Sequence, residues 1–221
     1  MDMSKRGWTR INTYFKCFLN YFYIMKFADL DLNKSYTYAD YFKWRFEERV
    51  ELIKGKIFKM SPAPNRFHQE IAGDIYHYLR VFLEKRACKA YTAPFDVRIP
   101  RKSKNDKNIV TVLQPDVCVV CDLSKLDDRG CIGAPEIVVE VLSPGNNAKE
   151  LRRKYEIYEE AGVKEYWVVS PQNQWMRIYT LVDGLFHESP YLLAGDKVTS
   201  TVLPGFSLDV TELFKDIPPD E

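Results

Sequence analysis

The sequence lacks a large net charge, an apolar run long enough to cross a bilayer, and a paired set of cysteines. Each absence narrows what the chain can be. Thirty-two Lys and Arg against 31 Asp and Glu leave a formal charge of +1. No broad basic field advertises nucleic acid, although basic residues clustered locally still bind it. The five cysteines are odd in number and scattered, which favours a reducing compartment, the cytoplasm, over a disulfide framework. Cys118 and Cys121 have metal-like spacing, but on a strand residues three apart point to opposite faces. With no second pair, that spacing does not make a zinc site. The aromatic stretch INTYFKCFLNYFYIMKF (11–27) is too short and too polar for a span of ~20 apolar residues, and no small-residue cleavage site follows it. No membrane is therefore expected as a partner, and neither internal repeats nor low-complexity tracts are present.

What is there suits a packed domain. The chain is 46% hydrophobic and 14% aromatic over 221 residues, which supports a sizeable core and argues against global disorder. Residues 1–24 read as a loosely attached extension, or as sequence upstream of a start at Met25, and 25–221 as one domain.

Along that domain, SYTYADYFKWRFEERV (35–50) has helical spacing, with Tyr38, Tyr41, Phe42 and Phe46 as an aromatic stripe. VELI and KIFKMSP flank Lys54-Gly55 as a hairpin would. NRFHQEIAGDIYHYLRVFLEKR is the strongest helix, capped by Asn65 and carrying Phe67, Ile71, Ile75, Tyr78, Leu79 and Phe82 on one face. From Cys88 the period becomes that of strands: KAYTAPFDVRIP, interrupted at Pro94, then PDVCVVCD and EIVVEVL. NAKELRRKYEIYEEAGV is a second long helix ended by Gly162, and the buried strand EYWVVSP follows. Short strands and turns complete the chain. The order predicts an α/β (α+β) core, a mixed central sheet covered by helices, with accessory hairpins.

Within PEIVVEVLSP, Glu140 sits in the middle of a buried strand. An ionised carboxylate among Ile, Val and Leu is costly unless something positive or hydrogen-bonding meets it. Alternation puts Glu140 on one face with Val138 and Leu142, and Ile137, Val139 and Val141 on the other. Asp116 opens the preceding apolar strand, so neighbouring strands would bring two carboxylates to one end of the sheet. A Mg²⁺ ion, commonly held by one or two carboxylates, water and a substrate phosphate, would account for both. On the second helix Leu151, Tyr155 and Tyr158 form the inward stripe with Lys154 at its border, and Arg153 points roughly the other way. A lysine beside a metal orients or deprotonates an attacking water.

These residues carry a resemblance. The segment QPDVCVVCDLSKLDDRGCIGAPEIVVEVLSPGNNAKELRRKYEIYEEAGVKEYWVVSP, with VELIKGKIFKMSPAPNRFHQEIAGDIYHYL and APFDVRI upstream, resembles the Uma-type family of restriction endonucleases within the PD-(D/E)XK nuclease superfamily. The likeness runs from about Met25 to LPGFSLDVTELF. It implies a restriction-endonuclease-like fold and hydrolysis of phosphodiester bonds, in DNA, dependent on Mg²⁺ or Mn²⁺. Pro115-Asp116 matches the superfamily's PD and Glu140 its second acidic residue. The lysine usual two positions later is Leu142 here, and the resemblance moves that role to Lys154 on the following helix. It also draws in His68, on the first helix's apolar face, and Glu51, on the hairpin strand, as further site residues. Asp96 in PFDV is a weaker candidate.

The basic loop RKSKNDKN (101–108) offers Arg101, Lys102, Lys104 and Lys107 as phosphate contacts that position a strand without reading it. A solvated charge run is the alternative reading. The leading expectation is a metal-dependent endonuclease with Asp116 and Glu140 on the metal and Lys154 as the third catalytic group. A homodimer would suit cutting two strands. The rival readings are an inactive nuclease-fold module that binds nucleic acid or regulates, and an interaction protein using its aromatic helix.

Overall fold

The computed structural model describes residues 26–60, 65–143 and 148–218. The expected N-terminal extension, and the proposed start at Met25, lie outside them.

The aromatic segment gives only a short helix, α1 (Tyr38–Tyr41). Thr37 and Asp40 form its capping box. Soon afterwards the guanidinium of Arg45 takes the Phe42 and Trp44 carbonyls, each at 2.8 Å, and the chain leaves the helix. Aromatic side chains also have little helix preference of their own, and here they serve separate contacts. Tyr38 buries against Leu52, Ile109 and Val112, while Phe42 stays exposed. The long helix read over 35–50 is thus corrected to a single turn.

The hairpin forms as expected from β1 (Val50–Ile53) and β2 (Lys56–Lys59). Lys54 and Gly55 at its tip both have positive φ, 49° and 82°, the two-residue turn that matches strand twist. A side chain on Gly55 would also run into Ser35. The strongest predicted helix is α2 (Arg66–Leu83), and the Asn65 side chain accepts the His68 amide at 2.9 Å as its cap.

The extended segments are β3 (Lys89–Thr92), β4 (Asp96–Arg98), β5 (Val112–Leu113), β6 (Val117–Val120), β7 (Leu126–Asp127), β8 (Gly130–Ile132) and β9 (Ile137–Val141). The second long helix, α3 (Ala148–Ala161), leads to β10 (Glu165–Ser170), β11 (Trp175–Val182) and β12 (Leu185–Glu188). A small β13–β14 ladder (Lys197–Thr199 and Ser207–Asp209) and α4 (Val210–Phe214) close the described chain. The central sheet has the order β12-β11-β10-β9-β6-β3, and a second sheet the order β2-β1-β5-β4-β8-β7. The β9–β10 pair in the central sheet is parallel, with α3 as its crossover; the other central pairs are antiparallel. Around Pro94 the chain passes from β3 in one sheet to β4 in the other.

Strand alternation divides the core. Ile137, Val139 and Val141 face α2 and the C-terminal ladder, with Ile71, Ile75, Leu79, Val198 and Leu208. Val138, Cys118, Val120 and Val168 face α3 and the second sheet, with Ile157, Tyr158, Val97 and Leu113. Both faces of the central sheet are buried, so every residue of β9 is buried, Glu140 included. Cys118 and Cys121 lie on opposite faces as read, but Cys121 is joined to Cys88 in a disulfide. These two stand one step beyond the Lys89↔Val120 pair of the β3–β6 ladder. Scattered spacing hid a cross-strand pair, which removes the cysteine argument for a reducing compartment.

Candidate active site

Glu140 meets a lysine. Its face of β9 looks onto α3, and Lys154 Nζ lies 2.9 Å from both carboxylate oxygens. One helical turn on, the Tyr158 hydroxyl donates to Oε1 at 2.7 Å. Glu51, from β1 in the second sheet, approaches the same Lys154 ammonium at 3.3 Å. Its other tie is the Gln114 amide, which donates to Glu51 Oε1 at 3.1 Å. Glu51, Glu140 and Lys154 are only 4%, 7% and 6% exposed, so none of the three relies on water to solvate its charge. The buried stripe of α3 consists of Lys154, Ile157 and Tyr158. Relative to the sequence reading it is rotated by about one position, which makes Lys154 central rather than marginal. Leu142, at the superfamily's lysine position, packs as a partly buried apolar side chain beside the same core.

Asp116 arrives from the neighbouring strand. The antiparallel register pairs Val117 with Val139, so its continuation sets Asp116 opposite Glu140. Asp116 Oδ2 accepts the Val141 amide at 2.8 Å and lies 3.2 Å from His68 Nε2. His68 comes from the first turn of α2, held there by the Asn65 cap. Its Nδ1 is buried without a hydrogen-bond partner among the described residues, as is the Tyr166 hydroxyl on β10. The structure therefore gathers Asp116, Glu140, Lys154, His68 and Glu51 at one end of β6 and β9, from five separate elements or their edges.

Charge is unbalanced in this cluster. Burial pushes the Glu140 carboxyl up to about 7; Lys154 works against the rise, and the carboxylates of Asp116 and Glu51 add to it. For Lys154 burial opposes the charge, but Glu140 and Glu51 outweigh it and hold the ammonium well above its ordinary value. Burial, and then the Glu140 charge, raise the Tyr158 phenol well above its own, so it stays a donor. Glu51 and Glu140 share the one ammonium of Lys154, and the charge of Asp116 bears on Glu140 as well, an arrangement that favours a further cation.

Among the described residues no three His, Cys, Asp or Glu side chains gather as ligands of one ion. A magnesium site does not require three: Asp116 and Glu140 would supply hard oxygens, and water and substrate phosphate would complete the shell. The hard-oxygen donor chemistry of these two residues fits that ion.

Other candidates fall elsewhere. Asp96 sits behind the cluster and accepts from Tyr38 and Tyr41 hydroxyls at 3.2 and 3.3 Å and from Gln114 Nε2 at 2.9 Å. It positions Gln114, the neighbour of Pro115, and does not reach the lysine. The basic loop lies near the far end of α3. There Arg101 Nη2 is 3.9 Å from Glu160, six residues or ~9 Å along the helix from Lys154 by its rise. Lys102, Lys104 and Lys107 are exposed on that loop, and no contact among the described residues ties them to the cluster. Two contributors were not assigned a role from sequence. Tyr158 was legible as the residue four after Lys154, on the same helical face. Arg153 was set aside as pointing away, yet it shares a cavity with Lys154 and Glu51, because the hairpin folds over that flank of α3.

The two sheets, the crossover helix and the carboxylate–lysine cluster define a restriction-endonuclease-like α+β fold. Residues 38–211 match the model of the Uma2 family, described as a putative restriction endonuclease, and the chain belongs to that family. A solved structure of a putative nuclease of the DUF820 group, from Anabaena variabilis, is similar in fold. Its TM-score is 0.64 and its identity 18%, over 81% of this chain and 98% of that one. No curated protein matches the chain.

Proposed function

We propose that the protein is a metal-dependent endonuclease that hydrolyses phosphodiester bonds in DNA. The observation that carries this reading is the buried Lys154 ammonium held between Glu51 and Glu140, with Asp116 opposite Glu140 across the β6–β9 pair and 3.2 Å from His68. Asp116 and Glu140 would hold Mg²⁺ or Mn²⁺, and the ion would supply Lewis-acid polarisation of the phosphate. The remaining roles belong to groups of this chain. The Val141 amide and His68 fix Asp116, and Tyr158 fixes one oxygen of Glu140. Lys154, whose pKa is held high, is a donor and not a base. Its role is to orient an attacking water and to stabilise charge that grows on the phosphate. Ionised Glu140 is the competent form, and because burial disfavours that form, activity falls as acid protonates it.

The test is cleavage of duplex and single-stranded DNA with Mg²⁺ or Mn²⁺ by wild type and by Glu140→Ala. The expected result is cleavage by wild type and none by the variant, with the fold kept by circular dichroism. Full activity in Glu140→Ala sinks the assignment. Binding of DNA without any product by wild type would favour the inactive, binding-only reading.

A further inference from the structure

The lining of the cavity beside the cluster has an uneven charge pattern. The cavity is about 260 Å³, with Glu51 and Lys154 among its lining residues. Lys59 from β2 and Lys149 and Arg153 from α3 also line it. None of these three has a carboxylate partner among the described residues, whereas Arg101 of the basic loop is already near Glu160. Glu150 lines the cavity too, with an interaction of its own. Its lining thus holds four cations against two carboxylates. Buried Glu140, paired with Lys154, lies beyond, with partly buried Asp116 opposite it on the neighbouring strand. The rim is positive and the depth is negative.

Arg153 makes the closest aromatic contact of the rim cations. Its guanidinium lies over the Phe58 ring at 4.1 Å. That contact restrains a long side chain before any ligand arrives, so less rotamer freedom is lost on binding. Lys59 Nζ lies 5.5 Å over Phe27 on the hairpin side. The cations therefore stand on two elements, the hairpin and α3, that face each other across the opening.

We propose that Lys59, Lys149 and Arg153 form the clamp that holds the sugar-phosphate backbone of the substrate strand against the cluster. A volume of about 260 Å³ is below the roughly 300–1,000 Å³ of sites that enclose a whole small ligand. It suits a phosphodiester segment of a longer strand. A positive rim draws in the polyanion, and a negative depth takes the cation that bridges to it. The basic loop at 101–108 is not part of this contact. The clamp rests on the nuclease reading for the identity of the strand, and its test is separable from that reading.

The experiment is DNA binding by fluorescence anisotropy across a salt series, without divalent metal, using a labelled duplex and the matching single strand. Wild type is compared with Lys59→Gln/Lys149→Gln/Arg153→Gln and with Arg101→Gln/Lys102→Gln/Lys104→Gln. Each phosphate contact contributes about 0.9 to the slope of log affinity against log salt for duplex, and about 0.7 for a single strand. The rim variant is expected to flatten the slope by roughly 2 to 3, and the loop variant to leave it unchanged. A rim variant with the wild-type slope, or a wild type that binds neither DNA, overturns the clamp. Cleavage with Mn²⁺ on the same proteins separates the two claims. A flattened slope with no cleavage by wild type keeps the clamp and removes the nuclease. Cleavage by wild type with an unaltered slope does the reverse.

Discussion

Replacing Lys154 by Met keeps an unbranched side chain of similar length and removes the charge. In wild type the ammonium sits 2.9 Å from both Glu140 oxygens and 3.3 Å from Glu51, with Glu140 and Lys154 each under a tenth exposed. At an effective dielectric of about 20, opposite charges some 3 Å apart attract by roughly 5 kcal/mol. Removal of one partner from a buried pair costs about 3–5 kcal/mol. The cost depends on pH in a definite direction. The Glu140 carboxyl is raised from 4.5 to about 7 in the fold. A raised carboxyl favours the protonated native state, so its contribution to stability is fully present below about 4.5 and is lost as pH rises through the folded value. Without Lys154 that folded value rises further, because the lysine is what lowers it. Lys154→Met should therefore lose about 3–5 kcal/mol near pH ~8 and clearly less near pH ~5, where Glu140 is already neutral. Urea unfolding of both proteins at the two pH values reads this directly from the midpoints and slopes. An equal loss at both pH values, or none at either, refutes the account of Glu140 as a buried charge held by Lys154.

Tyr158→Phe removes the 2.7 Å donor to Glu140 and should cost about 1.5–3 kcal/mol above pH ~7, the range for a hydrogen bond to a charged group. It should also move the acid limb of metal binding to higher pH, since the bond favours the carboxylate; an unmoved limb excludes the contact. Asn65→Ala removes the cap of α2 and should lower stability by about 1 kcal/mol. Metal affinity should fall with it, because His68 is held in that first turn next to Asp116; an Asn65→Ala protein with wild-type affinity would separate His68 from the site.

Strand alternation made much of this arrangement legible. Glu140 stood out because a carboxylate in a run of Ile and Val demands a partner, and the two-residue period alone places it on the face opposite Val139 and Val141. The Lys54-Gly55 turn and the Asn65 cap were readable because each depends on local backbone chemistry. The rest depends on contacts between distant segments. Whether Glu51 is an exposed strand charge or a buried one is decided by the second sheet packing over α3, which no local period encodes. The family resemblance supplied it as a candidate where the residue alone did not. The Cys88–Cys121 pair depends on strand register across 33 residues, and the fate of 42–49 on the packing of Trp44 and Phe46 against the cluster of Leu52, Ile109 and Val112. Arg153 was misread because a helical wheel shows which side a residue is on, but not what covers that side.

The central claim is that a divalent cation belongs between Asp116 and Glu140, and calorimetric titration with Mn²⁺ and Mg²⁺ tests it most directly. Wild type and Asp116→Ala/Glu140→Ala are titrated alone and with a short DNA duplex. Saturable binding by wild type, strengthened by the duplex and absent from the double variant, is the predicted result. Heats from wild type that match the double variant with duplex present would contradict it.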